Sequence, residues 1–183
     1  MLIAQKKRAE NIIEFLIYMY NVEDIVRKFG LDENSIVENY VKQIIPNPSF
    51  EVQYIEWYTN ICQQLKNSGK HSAGHLYEVE EVIMELRYLH QTLLTITLDQ
   101  KYISLFEAAS EYIEEFKSKS KLLDVHPIEV AVYAMNMKLQ LKMRGQEISA
   151  ETETAFDSMR ILLAYLGRAY QNMKSGNLGF SEN

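Results

Sequence analysis

Two charged residues lie four positions apart on the face that the sequence predicts to be the most apolar of its first helix. Glu23 and Arg27 follow residues 12–20, a stretch that is apolar almost all round. A carboxylate and a guanidinium at this spacing can form an ion pair on one helix face. Because charges are costly to bury unless they are paired and hydrogen-bonded, the arrangement requires a reason. Two interpretations stay open: an internal ion pair or tyrosine-linked network that fixes helix packing, or a polar cleft that admits a ligand.

Histidines are the next candidates for a site. His75 and His90 both project within the leucine face of a predicted fourth helix, 15 residues apart. At 1.5 Å per residue they are separated by about 22 Å, which is too far to share a metal ion. We expect hydrogen-bonded core or interface residues here, and the alternative is a ligand site that joins one of them to Glu23 and Arg27. No metal or cofactor is predicted.

Motifs that would assign a reaction are absent. The sequence has no glycine-rich phosphate loop, no nucleophile elbow, no His-Glu-x-x-His pair and no Glu-x-x-His pair of the helical di-metal sites. Cys62 is the only cysteine, so neither an internal disulfide nor a thiolate zinc cage can form. These observations favour a protein that is not an enzyme.

Charge and hydropathy limit the partners. The net charge of −6 repels nucleic acid and anionic membranes. The longest apolar run without a formal charge, residues 88–98, is half the length of a membrane span. The apolar region near the amino terminus contains Glu10 and Glu14, and it has no small-residue cleavage site. We therefore expect a cytoplasmic protein that binds neither nucleic acid nor membrane.

The elements that must position these residues are helical. Apolar residues recur at helical spacing almost throughout, and no segment sustains the alternation of a half-buried strand. With 183 residues, three prolines and no linker, the chain predicts an all-α, compact single-domain bundle of about seven helices with the first helix central. The domain covers 1–174, and 175–183 are expected to be a disordered tail. Asp32, Asp99, His126 and Ser149 are predicted caps. The predicted helices span 2–28, 32–45, 48–68, 75–97, 99–121, 126–145 and 149–174.

The predicted sixth helix is apolar on two sides. One interpretation is burial by neighbours on both sides, and the other is a self-association surface on one flank, for which flexible methionines are suited. The same alternative applies to the back of the seventh helix at Ile161, Ala164 and Tyr165. The two sides of the sixth helix consist of Val130, Ala134, Met137 and Leu141, and of Val132, Met135, Leu139 and Met143.

Several short strings together resemble an uncharacterised bacterial family of this length, described only as a domain of unknown function. The resemblance spans nearly the whole chain. It implies an all-helical, single-domain bacterial protein and brings no activity, so it assigns no role to Glu23, Arg27, His75 or His90. The strings are residues 1–8, 18–19 and 22–24 with Arg27, 57–58, 74–76, 89–90 and 147–152.

Three functional hypotheses follow. The leading one is a non-catalytic helical domain, such as a scaffold, that forms a homodimer or binds a protein partner. The alternative is a small-molecule or metal-binding protein, or an enzyme, with a polar cleft around Glu23, Arg27 and a histidine of the fourth helix. Nucleic-acid binding through Lys6, Lys7 and Arg8 is the third, although so short a basic run is a small footprint.

Overall fold

The computed structural model describes residues 2–176, and all its regular elements are helical. Within that range there is no strand, in agreement with the periodicity of the sequence. No helix in the same range is long and apolar enough to cross a membrane. Ser175 and Gly176 form a turn, and the rest of the predicted tail lies outside the described residues.

The amino-terminal segment forms two helices where the sequence predicted one. α1 (Leu2–Glu10) and α2 (Ile12–Lys28) meet at Asn11, whose backbone is extended. The Asn11 carboxamide oxygen accepts the N–H groups of Ile13 and Glu14 at 3.1 and 3.2 Å. Asparagine competes with the helix for backbone donors in this way, so it starts a new helix instead of continuing the old one. Only α2 takes the central position predicted for the whole segment, in contact with α1, α5, α6, α8 and α9.

The predicted second helix is also interrupted. Asp32 caps it as expected, by accepting the N–H of Ser35 at 2.6 Å. The segment then changes from α3 (Glu33–Ile36) to a π-helical turn (Val37–Val41) and back to a short α4 (Lys42–Ile44). These two interruptions divide the predicted first and second helices, so the described residues form more α-helical segments than the expected seven.

The remaining helices follow the predicted order, with small shifts at their ends. The predicted caps Asp99, His126 and Ser149 all accept a backbone N–H of the helix that follows. A 3₁₀ turn (Pro48–Phe50) leads into the first of these helices. They are α5 (Glu51–Asn67), α6 (Tyr77–Thr95), α7 (Gln100–Ser120), α8 (Pro127–Met143) and α9 (Ala150–Lys174).

α9 packs against four helices and closes the core. It contacts α2, α6, α7 and α8, and its Gly167 allows the closest approach to α2. A Cβ atom at Gly167 would lie only 2.9 Å from Cγ1 of Ile13, closer than two carbon atoms can pack. The core between these helices consists almost entirely of fully buried aliphatic and aromatic side chains. α2 and α9 thus form the support on which the polar residues described next are held.

The predicted fourth helix begins two residues later than the sequence indicated. Gly74 has a φ of +85°, Leu76 is extended, and α6 starts at Tyr77. His75 therefore lies in the connection before α6 and not on its leucine face, which corrects the position predicted for it. A tertiary contact stabilises this start, because the Leu76 N–H, which would have no helical partner at a helix start, donates to a carboxylate of α2.

Candidate functional site

Glu23 lies at the centre of a buried polar network. Its side chain, on α2, is fully buried. The Leu76 N–H donates to its Oε1 at 2.8 Å, and Nδ1 of His75 is 2.6 Å from its Oε2. Because a carboxylate oxygen accepts, the proton in the second contact belongs on Nδ1. Both carboxylate oxygens thus have donors, as a charge at this depth requires.

His75 connects this carboxylate to α8. Its Nε2 lies 2.9 Å from the hydroxyl of Tyr133, and in the tautomer with the proton on Nδ1 this nitrogen accepts the phenol hydrogen. The imidazole also stacks on Tyr20, with 4.0 Å between ring centres. Burial and the nearby carboxylates of Glu129 and Glu23 raise the pKa of Tyr133 to about 12, which keeps the phenol protonated. The result is a chain of carboxylate, imidazole and phenol that joins α2, the 68–76 connection and α8.

Arg27 bonds mainly to the backbone of the 68–76 connection and only weakly to Glu23. Its Nη1 is 3.9 Å from Oε2 of Glu23, at the limit of an ion pair. Its Nε donates to the Lys70 carbonyl at 3.4 Å, and its Nη2 donates to the carbonyl of Gly74. Lys70 in turn donates to the carbonyl of His75 at 2.5 Å. The predicted Glu23–Arg27 pair is therefore the weakest link in a network that holds the 68–76 connection against α2.

His90 lies in a different environment. It is on α6, where its Nδ1 is 2.6 Å from the hydroxyl of Tyr102, and its ring meets His126 edge to face at 5.2 Å between centres. Phe106 covers another edge. Burial lowers the pKa of both His90 and His126 to about 4, and the positive charges of nearby Arg87 and Lys117 add to the effect on His126. Of the four predicted site residues, the structure brings Glu23, Arg27 and His75 together and leaves His90 apart.

Sequence reasoning missed Tyr133, Tyr20 and Lys70 in this network. Only the high number of tyrosines, 12 against seven phenylalanines, pointed to hydrogen-bonded contacts between helices. Glu23, Arg27, His75 and His90 line none of five surface cavities found among the described residues. Across residues 2–176 no three histidine, cysteine, aspartate or glutamate side chains form a group that could hold a metal ion. The geometry therefore favours the packing interpretation of the Glu23 network over a ligand cleft at these residues.

The apolar sides of α8 are covered within the domain over most of their length, although Met137 on one side is 43% exposed. On the other side, Val132 and Met135 are buried, while Met143 at the end of the helix is exposed. On the back of α9, Ile161 is exposed and Tyr165 is bonded to Asp99 at 2.8 Å. Neither helix presents a continuous apolar stripe.

Three large side chains are exposed along one face of α6, where the sequence did not indicate an apolar surface. Tyr77, Met84 and Tyr88 are 75%, 64% and 69% exposed. At 3.6 residues per turn they lie within about 40° of one another and extend over about 16 Å of the helix. We call these three residues the α6 stripe. Tyrosine and methionine are both enriched at protein interfaces.

The helical architecture and the buried carboxylate–imidazole–phenol network describe an all-helical domain. The chain belongs to the family described as "Domain of unknown function (DUF4924)", whose model matches residues 1–177. No curated protein and no solved structure matches the chain. The family membership confirms the resemblance noted in the sequence, and it brings no activity.

Proposed function

We propose that this protein is a non-catalytic, cytoplasmic helical domain that works by self-association, and that two copies pair through the α6 stripe. The observation that carries the proposal is the exposure of Tyr77, Met84 and Tyr88 on one face of one helix. Large apolar side chains exposed singly are normal, but several of them along one helix face favour an interaction site. A single buried cysteine, Cys62, is consistent with a reducing compartment.

The charges beside the stripe favour a second copy as the partner. Glu80 and Arg87 lie on the same flank of the stripe, at helical positions about 20° apart. Arg87 forms no ion pair with the described residues, and Glu80 bonds only Lys70, at 2.7 Å. In an antiparallel pair related by a two-fold axis beside Met84, each flank meets the same flank of the second copy. Arg87 then lies opposite Glu80 of the second copy in both halves of the interface.

The same axis also brings the exposed apolar residues of the two copies into contact. It sets Met84 against Met84 of the second copy. Tyr77 comes next to Tyr88 of the second copy in a register that differs by one residue from the register that pairs Arg87 with Glu80. Isologous contacts of this kind are typical of two-fold dimers. On the opposite flank, Glu78, Glu81 and Glu85 are already paired with Arg8 or Lys174 of their own chain. Repulsion between the acidic flanks is reduced accordingly.

The size of the surface sets the expected strength. One helix pair buries less than the roughly 1,200 Å² of a standard interface. We therefore expect a dimer that dissociates on dilution, so that the mass rises from 21.4 kDa towards twice that value as concentration increases.

Light scattering across a concentration series, with matched variants, tests the proposal. Met84→Glu places a charge at the axis and leaves the core untouched, so it should give a monomer at every concentration. Met143→Glu makes the same change at an equally exposed methionine of α8 and should dimerise as the native chain does. A native chain that stays monomeric, or equal loss of dimer in both variants, would refute the proposal.

Two further experiments test the register. Arg87→Glu and Glu80→Arg should each weaken the dimer, and the double exchange should restore it, because the charges still alternate across the axis. Met84→Cys should form a disulfide-linked dimer on mild oxidation, whereas Val52→Cys, equally exposed on α5, should not. Cys62 is buried and does not interfere.

A further inference from the structure

A groove of about 770 Å³ lies between α2, α8 and α9. Each of the three helices contributes one face to it, because the lining residues of each helix recur every three or four positions. Leu139 of α8 and Ala164 of α9 are among them, and both belong to the faces that the sequence analysis considered for self-association. We call it the α2–α8–α9 groove.

The floor of this groove is apolar. Ile13 of α2 and Leu163 of α9 line it as buried residues, while Leu139 is half-buried and Ala164 is exposed. Gly167 has no side chain to fill the space above Ile13, which lies in contact with it. Covering such a floor is favourable only for a partner that presents apolar side chains of its own.

The charged residues of the groove make it a positive region of a negative protein. Four basic side chains line it against three carboxylates, whereas the whole chain has a net charge of −6. Each of the three carboxylates is already paired with a cation of its own chain, so the groove attracts negative groups. These pairs are Glu10 with Lys6, Glu14 with Lys7, and Asp157 with Lys138 and Arg160.

The two remaining cations of the groove, Lys142 and Arg168, are exposed and form no ion pair with the described residues. They lie far apart along it. α8 and α9 are antiparallel, since the short connection 144–149 joins them and Lys138 pairs with Asp157 at 3.4 Å. Lys142 is one turn closer to that connection, so it lies beside Asp157 or an earlier residue of α9. From Asp157 to Arg168 the helix rises by about 16 Å.

We propose that the α2–α8–α9 groove binds an amphipathic α-helix of a partner protein, whose apolar face is flanked by carboxylates about three turns apart. An amphipathic helix laid into an apolar groove is a recurrent mode of recognition. Three turns rise by about 16 Å, so two such carboxylates can meet Lys142 and Arg168 together. The floor between these cations then receives the apolar face of the bound helix.

Other anions match the groove less well. A fatty acid carries one carboxylate, so it can neutralise only one of two cations that lie this far apart. A nucleic acid presents phosphates along its whole length, for which Lys142 and Arg168 are too small a footprint. The apolar floor and the paired carboxylates of the groove are also unsuited to a phosphate backbone.

Three helical peptides of about 15 residues, which span about 22 Å, test the proposal on the full chain. All carry leucine at helical spacing on one face, and the residues that flank this face are glutamate, glutamine or lysine. Binding is followed by two-dimensional amide NMR. The glutamate peptide should shift the amide signals of Leu139, Ala164 and Gly167 in a saturable way, and added salt should weaken its binding. Failure of the glutamate peptide to bind, or binding of either other peptide with equal affinity, would overturn the proposal.

Charge exchange at the two unpaired cations locates the site. Lys142→Glu and Arg168→Glu should each weaken the binding of the glutamate peptide at least about tenfold, because attraction is replaced by repulsion between like charges. The double variant should bind the lysine peptide instead. Lys101→Glu makes the same change at an exposed position of α7 outside the groove and should leave the affinity unchanged. Equal loss in all three single variants would contradict the assignment.

One further variant separates this groove from the dimer surface. Met84→Glu changes the α6 stripe and leaves the groove intact, so it should bind the glutamate peptide as the native chain does. Loss of binding in Met84→Glu, with binding retained in Arg168→Glu, would place the peptide on α6 and refute the proposal for the groove.

Discussion

Two buried imidazoles of this protein are held in contrasting ways. His75 lies in a connection between helices, bonded to a buried carboxylate on one side and to a phenol on the other. His90 lies within a helix, among Tyr102, Phe106 and His126, with no carboxylate in contact. Their exposure is nearly equal, at 6% and 4%.

The difference shows that burial by itself does not define what a histidine does. His75 has lost water but has gained two directed partners, so it works as a link between α2, the 68–76 connection and α8. His90 has one hydrogen bond and aromatic edges, so burial disfavours its charged form and lowers its pKa to about 4. One cluster provides specific connections, and the other provides packing that acid can disturb.

The largest expected effect concerns the carboxylate that distinguishes the two clusters. Glu23→Leu removes both acceptor oxygens at once, so the Leu76 N–H and Nδ1 of His75 lose their partners in a buried site. We expect a loss of about 2–4 kcal/mol in the free energy of unfolding, measured by urea denaturation. Asp24→Asn, next to it on the same helix, keeps an oxygen that accepts the hydrogen bonds of the aspartate and should cost less than about 1 kcal/mol. Equal losses would mean that Glu23 is not the centre of the network.

A smaller effect separates the two tyrosines that contact His75. Tyr133→Phe leaves Nε2 of His75 without a donor and should cost about 1–2 kcal/mol. Tyr20→Phe removes a buried hydroxyl that has no partner, so it should leave stability unchanged or increase it. Thermal and urea unfolding of both variants measure this contrast. A larger loss in Tyr20→Phe than in Tyr133→Phe would contradict the hydrogen-bond assignment.

An effect of similar size to that of Tyr133→Phe is a pH dependence of stability, which comes from the His90 cluster. The ordinary pKa of 6.5 falls to about 4 in the folded protein, so between these values the unfolded chain takes up a proton that the folded protein refuses. The stabilisation is complete above pH 6.5 and is lost as the pH falls towards 4, by about 1–2 kcal/mol after allowance for partial solvation. His126 has the same direction of shift and adds to the slope.

Urea unfolding of the native chain and of His90→Phe between pH 7 and 4.5 isolates this contribution. The stability of the native chain should fall more steeply with acid than that of the variant, because the carboxylates common to both cancel in the difference. Parallel curves would show that His90 keeps its ordinary pKa in the folded state.

Much of the fold could be predicted from the sequence because local chemistry determines it. Asp32, Asp99, His126 and Ser149 are polar residues that precede apolar periodic segments, and each accepts a backbone N–H of its helix. Asn11 has the same capability and was missed, because it lies between two segments that read as one continuous helix. A cap in the middle of a pattern can be recognised only when the neighbouring elements have separated.

The site was predicted in part. Glu23 is as buried as its place on the apolar face of the first helix indicated. Its principal partners, however, are His75 and the Leu76 N–H, which are more than 50 positions distant, and not Arg27 one turn away. Asp24 was not singled out, although it faces a cavity while Glu23 faces none of the five.

The sequence by itself determined that the chain is helical, where most helices begin, and that a charge is buried in α2, since these features depend on residues within one or two turns. Tertiary structure decided which donors reach that charge and which apolar surfaces are covered. α8, apolar on two sides, buries most of both against its neighbours, whereas α6 leaves Tyr77, Met84 and Tyr88 in solvent. Whether a helix face is buried depends on which elements pack against it, and those elements are far apart in the chain.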